Sequence, residues 1–90
     1  METDFAIWGP IARDDLPGLC DRVCALLHEH GPGPARCDVT GVAPDAVTVD
    51  ALARLQVAAR RLDCGVRLCN ASAELRELIA FMGLRDVLPE

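Results

Sequence analysis

Short apolar runs alternate along this chain with longer stretches whose apolar residues recur every third or fourth position. The short runs lie at 5–8, which is continuously apolar, and at 35–40 and 66–69, where polar residues stand between the apolar ones. The periodic stretches lie at 16–27, 49–62 and 75–82. The first pattern is typical of strands and the second of helices with one apolar face. A β-α-β-α-β-α order favours parallel strands joined by crossover helices, so we expect an α/β fold.

The length of the chain limits how much of such a sheet can be covered. With 90 residues we expect a single domain over residues 1–90. Aromatic residues are limited to Phe5, Trp8 and Phe81, so the core must be built from aliphatic side chains. We therefore predict a small, mostly parallel β-sheet with helices packed mainly on one side, because so short a chain cannot easily cover both faces.

Local signals predict where the helices begin and end. Asp14 and Asp15 precede the first helix, Asp45 or Thr48 can cap the second, and Ser72 can cap the third. Past the second helix, a glycine at position 65 is available for a left-handed turn. The apolar residues after the third helix, at 84–88, are expected to dock back on the domain.

The charge of the chain excludes several classes of function. Its net charge is −5 and every basic residue is arginine, with no basic stripe, so we expect no nucleic-acid binding. No apolar run approaches the roughly 20 residues of a membrane span, and the acidic start differs from a signal peptide. We expect a cytoplasmic protein without membrane insertion.

The five cysteines include one candidate metal set. Cys20, Cys24, His28 and His30 combine thiol and imidazole groups that zinc accepts. The two cysteines lie on the apolar stripe of the first helix, however. Each step of four residues rotates the side chain by about 40° around the helix, so His28 lies about 80° away from Cys20. Packing of reduced thiols is favoured, and we predict no metal site.

Other chemistry finds little support in the sequence. Cys37 and Cys69 lie on neighbouring predicted strands and could form a regulatory disulfide, although buried packing is favoured. The chain contains no Gly-x-Ser-x-Gly, no His-Glu-x-x-His and no phosphate-binding glycine loop. We predict a protein that is not an enzyme and has no cofactor.

Four segments, in their order and spacing, resemble a known family. They are Cys37–Val42 (CDVTGV), Ala51–Arg61 (ALARLQVAARR), Val66–Ile79 (VRLCNASAELRELI) and Gly83–Pro89 (GLRDVLP). Together they resemble the STAS domain, the fold of bacterial anti-sigma-factor antagonists. The resemblance is weak over residues 1–33, where family members usually have a β-hairpin, so this chain looks like a version shortened at its N-terminus.

The resemblance implies a site at the start of the second helix. The family carries the motif Asp-Ser-Ser-Gly-Leu-Gly there, and a kinase phosphorylates one of the serines. Counted back from the helix end, the motif falls on 48–53, which places Asp50 at the phosphoacceptor. Counted forward from Gly41, it falls two residues earlier, with Thr48 at the second serine. We prefer the first register because the second puts Asp50 at the motif's buried leucine.

Three interpretations of Asp50 stay open. It can be an acidic first-turn residue that stabilises the helix dipole, a permanent charge that imitates the phosphorylated state, or a direct contact with a partner. Thr48 is expected to be a plain helix cap more than a phosphoacceptor.

The function implied by the resemblance is a protein–protein switch in transcription regulation. We expect Asp45, Thr48, Val49 and Asp50 to contact an anti-sigma factor of the serine-kinase-type ATPase class. STAS domains also serve as small cytosolic subunits of lipid-transporting ABC systems, with an ABC ATPase as partner, and this alternative stays open. We expect a monomer or weak homodimer.

Overall fold

The computed structural model describes residues 3–90 and shows strands alternating with helices. The elements are β1 (Thr3–Trp8), α1 (Leu16–His30), β2 (Gly33–Gly41), α2 (Ala46–Arg61), β3 (Cys64–Cys69) and α3 (Ala73–Phe81). One 3-10 turn, Arg13–Asp15, precedes α1. The predicted β-α-β-α-β-α order is confirmed.

The three strands form one sheet in the order β1-β2-β3, and both neighbouring pairs are parallel. Cys37 in the middle of β2 has Phe5 of β1 and Leu68 of β3 as its partners in the register. The expected parallel pairing is confirmed. The helix between two strands returns the chain to the end of the sheet where the previous strand began, so the next strand runs in the same direction.

The sheet buries only one of its faces. Ala35, Cys37 and Val39 of β2 are buried, whereas the residues between them are exposed or half-buried. In β3 the alternation is the same. Since neighbouring residues of a strand point to opposite faces, the helices cover one face and leave the other open, as predicted.

Asp45 and Ser72 begin their helices as expected. The Asp45 carboxylate accepts the Thr48 amide at 2.8 Å, and the Ser72 hydroxyl oxygen accepts the Leu75 amide at 3.1 Å. Both bonds satisfy helix amides that have no partner within the helix. The predicted side-chain cap of α1 is not formed by Asp15. Its carboxylate accepts the Ala12 amide at 3.0 Å and makes no cap bond to α1.

The left-handed turn after α2 is made by another residue than the predicted glycine. Asp63 takes it, with φ of 58°, while Gly65 lies in β3. Short polar side chains such as aspartate tolerate this conformation better than most residues. The expectation for Gly65 was therefore wrong because the strand begins earlier than predicted.

The apolar stripes of the helices form the core with the inner face of the sheet. Its largest fully buried aliphatic side chains are Leu27, Val39, Val49, Leu52, Leu55 and Leu75. The docking of the C-terminal residues is confirmed by Leu88, which is buried. The apolar pattern at 75–82 places Met82 on the buried side of α3, but Met82 is 40% exposed. Phe81 beside it is 88% exposed, because α3 ends there and the chain turns away.

The amide side chain of Gln56 lies within this apolar core and is fully hydrogen-bonded to the main chain. The Gln56 amide nitrogen donates to the carbonyls of Val66 and Val87, both at 2.8 Å, and its oxygen accepts the Val66 amide at 2.9 Å. Gln56 is 1% exposed. Val66 belongs to the edge strand β3, so its main-chain groups on the side away from β2 would otherwise be buried without partners.

The C-terminal segment completes the closure of this edge. The Leu68 amide of β3 donates to the Pro89 carbonyl at 2.8 Å, two residues beyond the Val66 contact with Gln56. The outer edge of β3 is thus bonded by a side chain of α2 and by the main chain of the last residues. Few polar groups of this edge remain to pair with another chain.

Replacing Gln56 with methionine should destabilise the fold strongly. Methionine keeps much of the volume but cannot bond the two groups of Val66 or the Val87 carbonyl, and each buried unsatisfied group costs about 1–3 kcal/mol. We expect Gln56→Met to lower the free energy of unfolding by about 3 kcal/mol in urea titrations. The matched variant Val57→Met, on the exposed side of α2, should lower it by less than about 0.5 kcal/mol. Equal losses in both variants would contradict the structural role of Gln56.

Candidate functional site

The predicted contact residues at the start of α2 separate into exposed and buried pairs. Asp45 is exposed and Asp50 is half-buried, whereas Thr48 and Val49 are both 0% exposed. A helix resting on a sheet must turn some of its first residues inward, and here Thr48 and Val49 face the core. The expectation that these two side chains contact a partner does not fit the fold, because they offer no surface.

Thr48 is also unsuited to the phosphoacceptor role considered for it. Its hydroxyl is buried and has no hydrogen-bond partner within residues 3–90. Its amide, not its side chain, takes part in the cap, through the bond to Asp45. A kinase cannot reach a hydroxyl inside the core, and a phosphate there would carry about two negative charges into an apolar environment.

Asp50 is held by two arginines. Its Oδ2 accepts the Arg54 Nε–H at 3.1 Å, one turn further along α2, and lies 3.7 Å from Nη1 of Arg13 in the 3-10 turn before α1. Because α2 begins at Ala46, Asp50 lies beyond the first turn. The helix-dipole interpretation is therefore wrong, and this carboxylate instead links α2 to the segment that leads into α1.

The same two arginines line a surface depression of about 260 Å³. Its other walls are apolar or weakly polar side chains: Leu16, Pro17 and Cys20. Two guanidinium groups share the Asp50 carboxylate here, and both Arg54 and Asp21 act electrostatically on Cys20, so the depression carries mixed charge. Guanidinium groups bind carboxylates with two parallel hydrogen bonds, so the arrangement suits an acidic side chain of another protein.

A second carboxylate lies at the end of β2, on the open face of the sheet. The Asp38 Oδ1 accepts the Thr40 hydroxyl at 2.6 Å and the Thr40 amide at 2.9 Å. These two bonds, that of the hydroxyl first, lower the pKa of Asp38 below its ordinary value. The two bonds hold Thr40 against Asp38 in the last residues of β2.

The cysteines occupy packing positions. All five are free thiols. Cys37 and Cys64 are buried, while Cys20, Cys24 and Cys69 are half-buried. Cys37 faces the helices, whereas Cys69 lies one position past its register partner Leu68 and so points to the opposite face of the sheet. The regulatory disulfide between Cys37 and Cys69 is therefore excluded by geometry, because a bridge needs side chains directed at each other.

Burial also governs the acidity of these thiols. It raises the pKa of Cys37 to about 12, with smaller contributions from the nearby Cys69 and Asp38. The pKa of Cys20 is raised as well, first by burial and then by Cys24. A thiol with a raised pKa is a poor nucleophile near neutral pH.

Within residues 3–90, no group of three or more histidine, cysteine, aspartate or glutamate side chains is arranged to hold a metal ion, and this includes Cys20, Cys24, His28 and His30. Over the same residues, no helix combines the length and apolar character needed to cross a bilayer.

A scan against models of known protein families gives no match for this chain, and a search of the curated proteins gives no similar sequence. The resemblance to STAS domains thus stays a prediction from motifs.

The role of Arg13 was missed because nothing in the sequence relates it to α2. Gln56 could have been noticed, since it is the one polar residue on the stripe formed with Leu52, Leu55 and Ala59.

Removing the buried hydroxyl at position 48 should not harm the fold. Thr48→Val replaces an unsatisfied polar atom with a methyl group of similar size, so we expect the free energy of unfolding to rise by about 1 kcal/mol in urea titrations. The control Thr40→Val removes a hydroxyl that is bonded to Asp38, and should not raise it. Destabilisation by Thr48→Val would show that the hydroxyl has a partner.

Thiol labelling should follow burial. With iodoacetamide at about pH 8 we expect Cys24 and Cys69 to react first, Cys20 more slowly, and Cys37 and Cys64 to be protected, as measured by mass spectrometry of peptides. For Cys37 the protection should persist until the pH approaches its raised pKa, because only the thiolate reacts. In concentrated guanidinium chloride all cysteines should react. Equal rates for Cys37 and Cys69 in the native protein would contradict this packing.

Proposed function

We propose that this chain is a non-catalytic, cytoplasmic protein-interaction module that resembles bacterial anti-sigma-factor antagonists and binds an anti-sigma factor of the serine-kinase-type ATPase class. The observation that carries the proposal is the position of Asp50 in the first half of α2, where it pairs with the two arginines that line the depression. Charged side chains of both signs surround apolar side chains on this surface. The charges can select a partner of complementary charge, and burial of the apolar side chains can stabilise the complex.

The packing of α2 is compatible with the preferred alignment to the family motif. In that register the motif's leucine falls on Leu52, which is 2% exposed, and the phosphoacceptor falls on Asp50, whose side chain is 33% exposed. The alternative register would require Asp50 in the core. Asp50 thus occupies a position from which a side chain can meet a partner.

The charge of Asp50 favours direct contact over imitation of a phosphate. A phosphate carries about two negative charges and three acceptor oxygens, whereas this single carboxylate is already balanced by Arg13 and Arg54. A partner carboxylate can compete for the arginines, and a partner arginine or lysine can reach Asp50. Either exchange would replace an internal ion pair by one across the interface.

Residues 43–50 offer no accessible hydroxyl for phosphorylation, and this supports the alternative function as a small subunit of a lipid-transporting ABC system. From Ala43 to Asp50 the only hydroxyl is that of Thr48, which is buried. An interaction that cannot be released by phosphorylation at this site suits a permanent subunit, such as the small STAS subunit of a lipid-transporting ABC system. In that case the partner is an ABC ATPase and the same surface is used.

Reversal of the charge at position 50 tests both partners. We expect Asp50→Arg to weaken binding to the purified partner ATPase by at least about tenfold in calorimetric titrations, which corresponds to about 1.4 kcal/mol. The matched variant Glu77→Arg makes the same change on the exposed side of α3 and should stay within about twofold of the unchanged protein. Thermal melts confirm that both variants fold.

The choice of ATPase separates the two functions. Binding to an anti-sigma ATPase alone supports the regulator, and binding to an ABC ATPase alone supports the transporter subunit. Equal affinity of the unchanged protein and Asp50→Arg for whichever ATPase binds would refute the proposed surface.

A further inference from the structure

The two edge strands of the sheet differ in whether the main-chain groups on their outer sides are hydrogen-bonded. Residues of α2 and of the C-terminal segment bond the outer edge of β3, as described above. β1 is the other edge strand, and within residues 3–90 no strand or backbone hydrogen bond covers its outer side. Alternate residues of such a strand direct their N–H and C=O groups outward, where a further extended chain can bond them.

A groove of about 390 Å³ runs beside this open edge. β1 forms one wall with the residues from Phe5 to Trp8, and α1 forms the other wall with Leu19, Arg22, Val23 and Leu26. Most of these side chains are apolar. Trp8 is 72% exposed, and its ring lies against Gly41, where any Cβ atom would overlap it. The Trp8 ring is therefore turned toward β2, away from the open edge of β1, and Trp8 borders the groove at the end of β1.

The single charged side chain of the groove is a cation. Arg22 forms no ion pair within residues 3–90, and its Nη1 would lie only 3.3 Å from a Cβ at Gly18, so it extends along the surface of α1. The groove thus offers one unpaired guanidinium among apolar walls. Its complement is a carboxylate flanked by apolar side chains.

We propose that this groove binds an extended segment of another protein, which adds a strand to β1 and places an acidic side chain against Arg22. Main-chain bonds to the open edge require an extended chain, and its alternate side chains then point toward α1. The apolar walls select aliphatic residues at those positions, and Arg22 selects an acid between them. A second copy of this chain fits less well, because a two-fold axis at this edge would bring two Arg22 side chains into one interface.

This site is distinct from the surface at the start of α2. The groove uses Leu19, Arg22 and Leu26 of α1, whereas the two-arginine depression uses Leu16, Pro17 and Cys20. With about 100° per residue, these sets lie on different sides of the helix. Either site can be disrupted without changing the other, so the two proposals stand or fall separately.

A palindromic peptide tests the groove, because its alternation is the same in both strand directions. We would titrate the full chain with Ac-TVTETVT-NH2 and follow the fluorescence of Trp8, the only tryptophan, together with amide chemical shifts. We expect a saturable change, with shifts at β1 and at the groove side of α1. The control peptide Ac-TVTKTVT-NH2 should bind at least about tenfold more weakly.

The variant Arg22→Glu should reverse this preference, so that the lysine peptide binds more tightly than the glutamate peptide. Arg60→Glu, an equal change on the exposed side of α2, should leave it unchanged. The proposal is overturned if neither peptide gives a saturable change up to about 1 mM, which corresponds to about 4 kcal/mol of binding free energy. It is also overturned if both peptides bind equally, if the shifts lie elsewhere, or if sedimentation equilibrium shows a dimer that Leu26→Glu dissociates.

Discussion

The hydrogen bonds of Gln56 are the interaction on which the arrangement of this fold depends. One amide side chain of α2 satisfies both main-chain groups of Val66 in β3 and the carbonyl of Val87 in the C-terminal segment. Buried polar groups are costly when unpaired, so this residue fixes the position of the helix against the strand and of the last residues against both. An apolar side chain there would bury as much surface without specifying where the edge strand lies.

Because the outer edge of β3 is already hydrogen-bonded, β1 is the edge at which a further strand can be added to the sheet. Parallel sheets are usually covered on both faces, whereas in residues 3–90 the helices cover one face only. The chain bonds β3 with its own C-terminal residues. β1 and its groove against α1 stay accessible, and Arg22 is the one charged side chain that lines this groove.

The start of α2 shows how packing selects among residues that look equivalent in the sequence. Asp45, Thr48, Val49 and Asp50 lie within one and a half turns, yet the helix directs Thr48 and Val49 into the core and leaves the two acids outside. Arg13 reaches Asp50 from a segment that is remote in sequence. The surface that results carries mixed charge, and its recognition properties differ from those of a lone negative residue.

The sequence by itself determined the order of elements, the parallel sheet, the apolar stripes and the cap at Ser72, because these depend on local periodicity and on the bonding capacity of single side chains. It left Asp45 and Thr48 as alternatives for the cap of α2, and the structure decides for Asp45. Only the tertiary structure decided which residues of α2 are buried, that Gln56 bonds β3, that Asp63 makes the left-handed turn, and that Cys37 and Cys69 face apart. Those features depend on the rotation of each element about its axis and on contacts between distant segments, and neither is encoded in a local pattern.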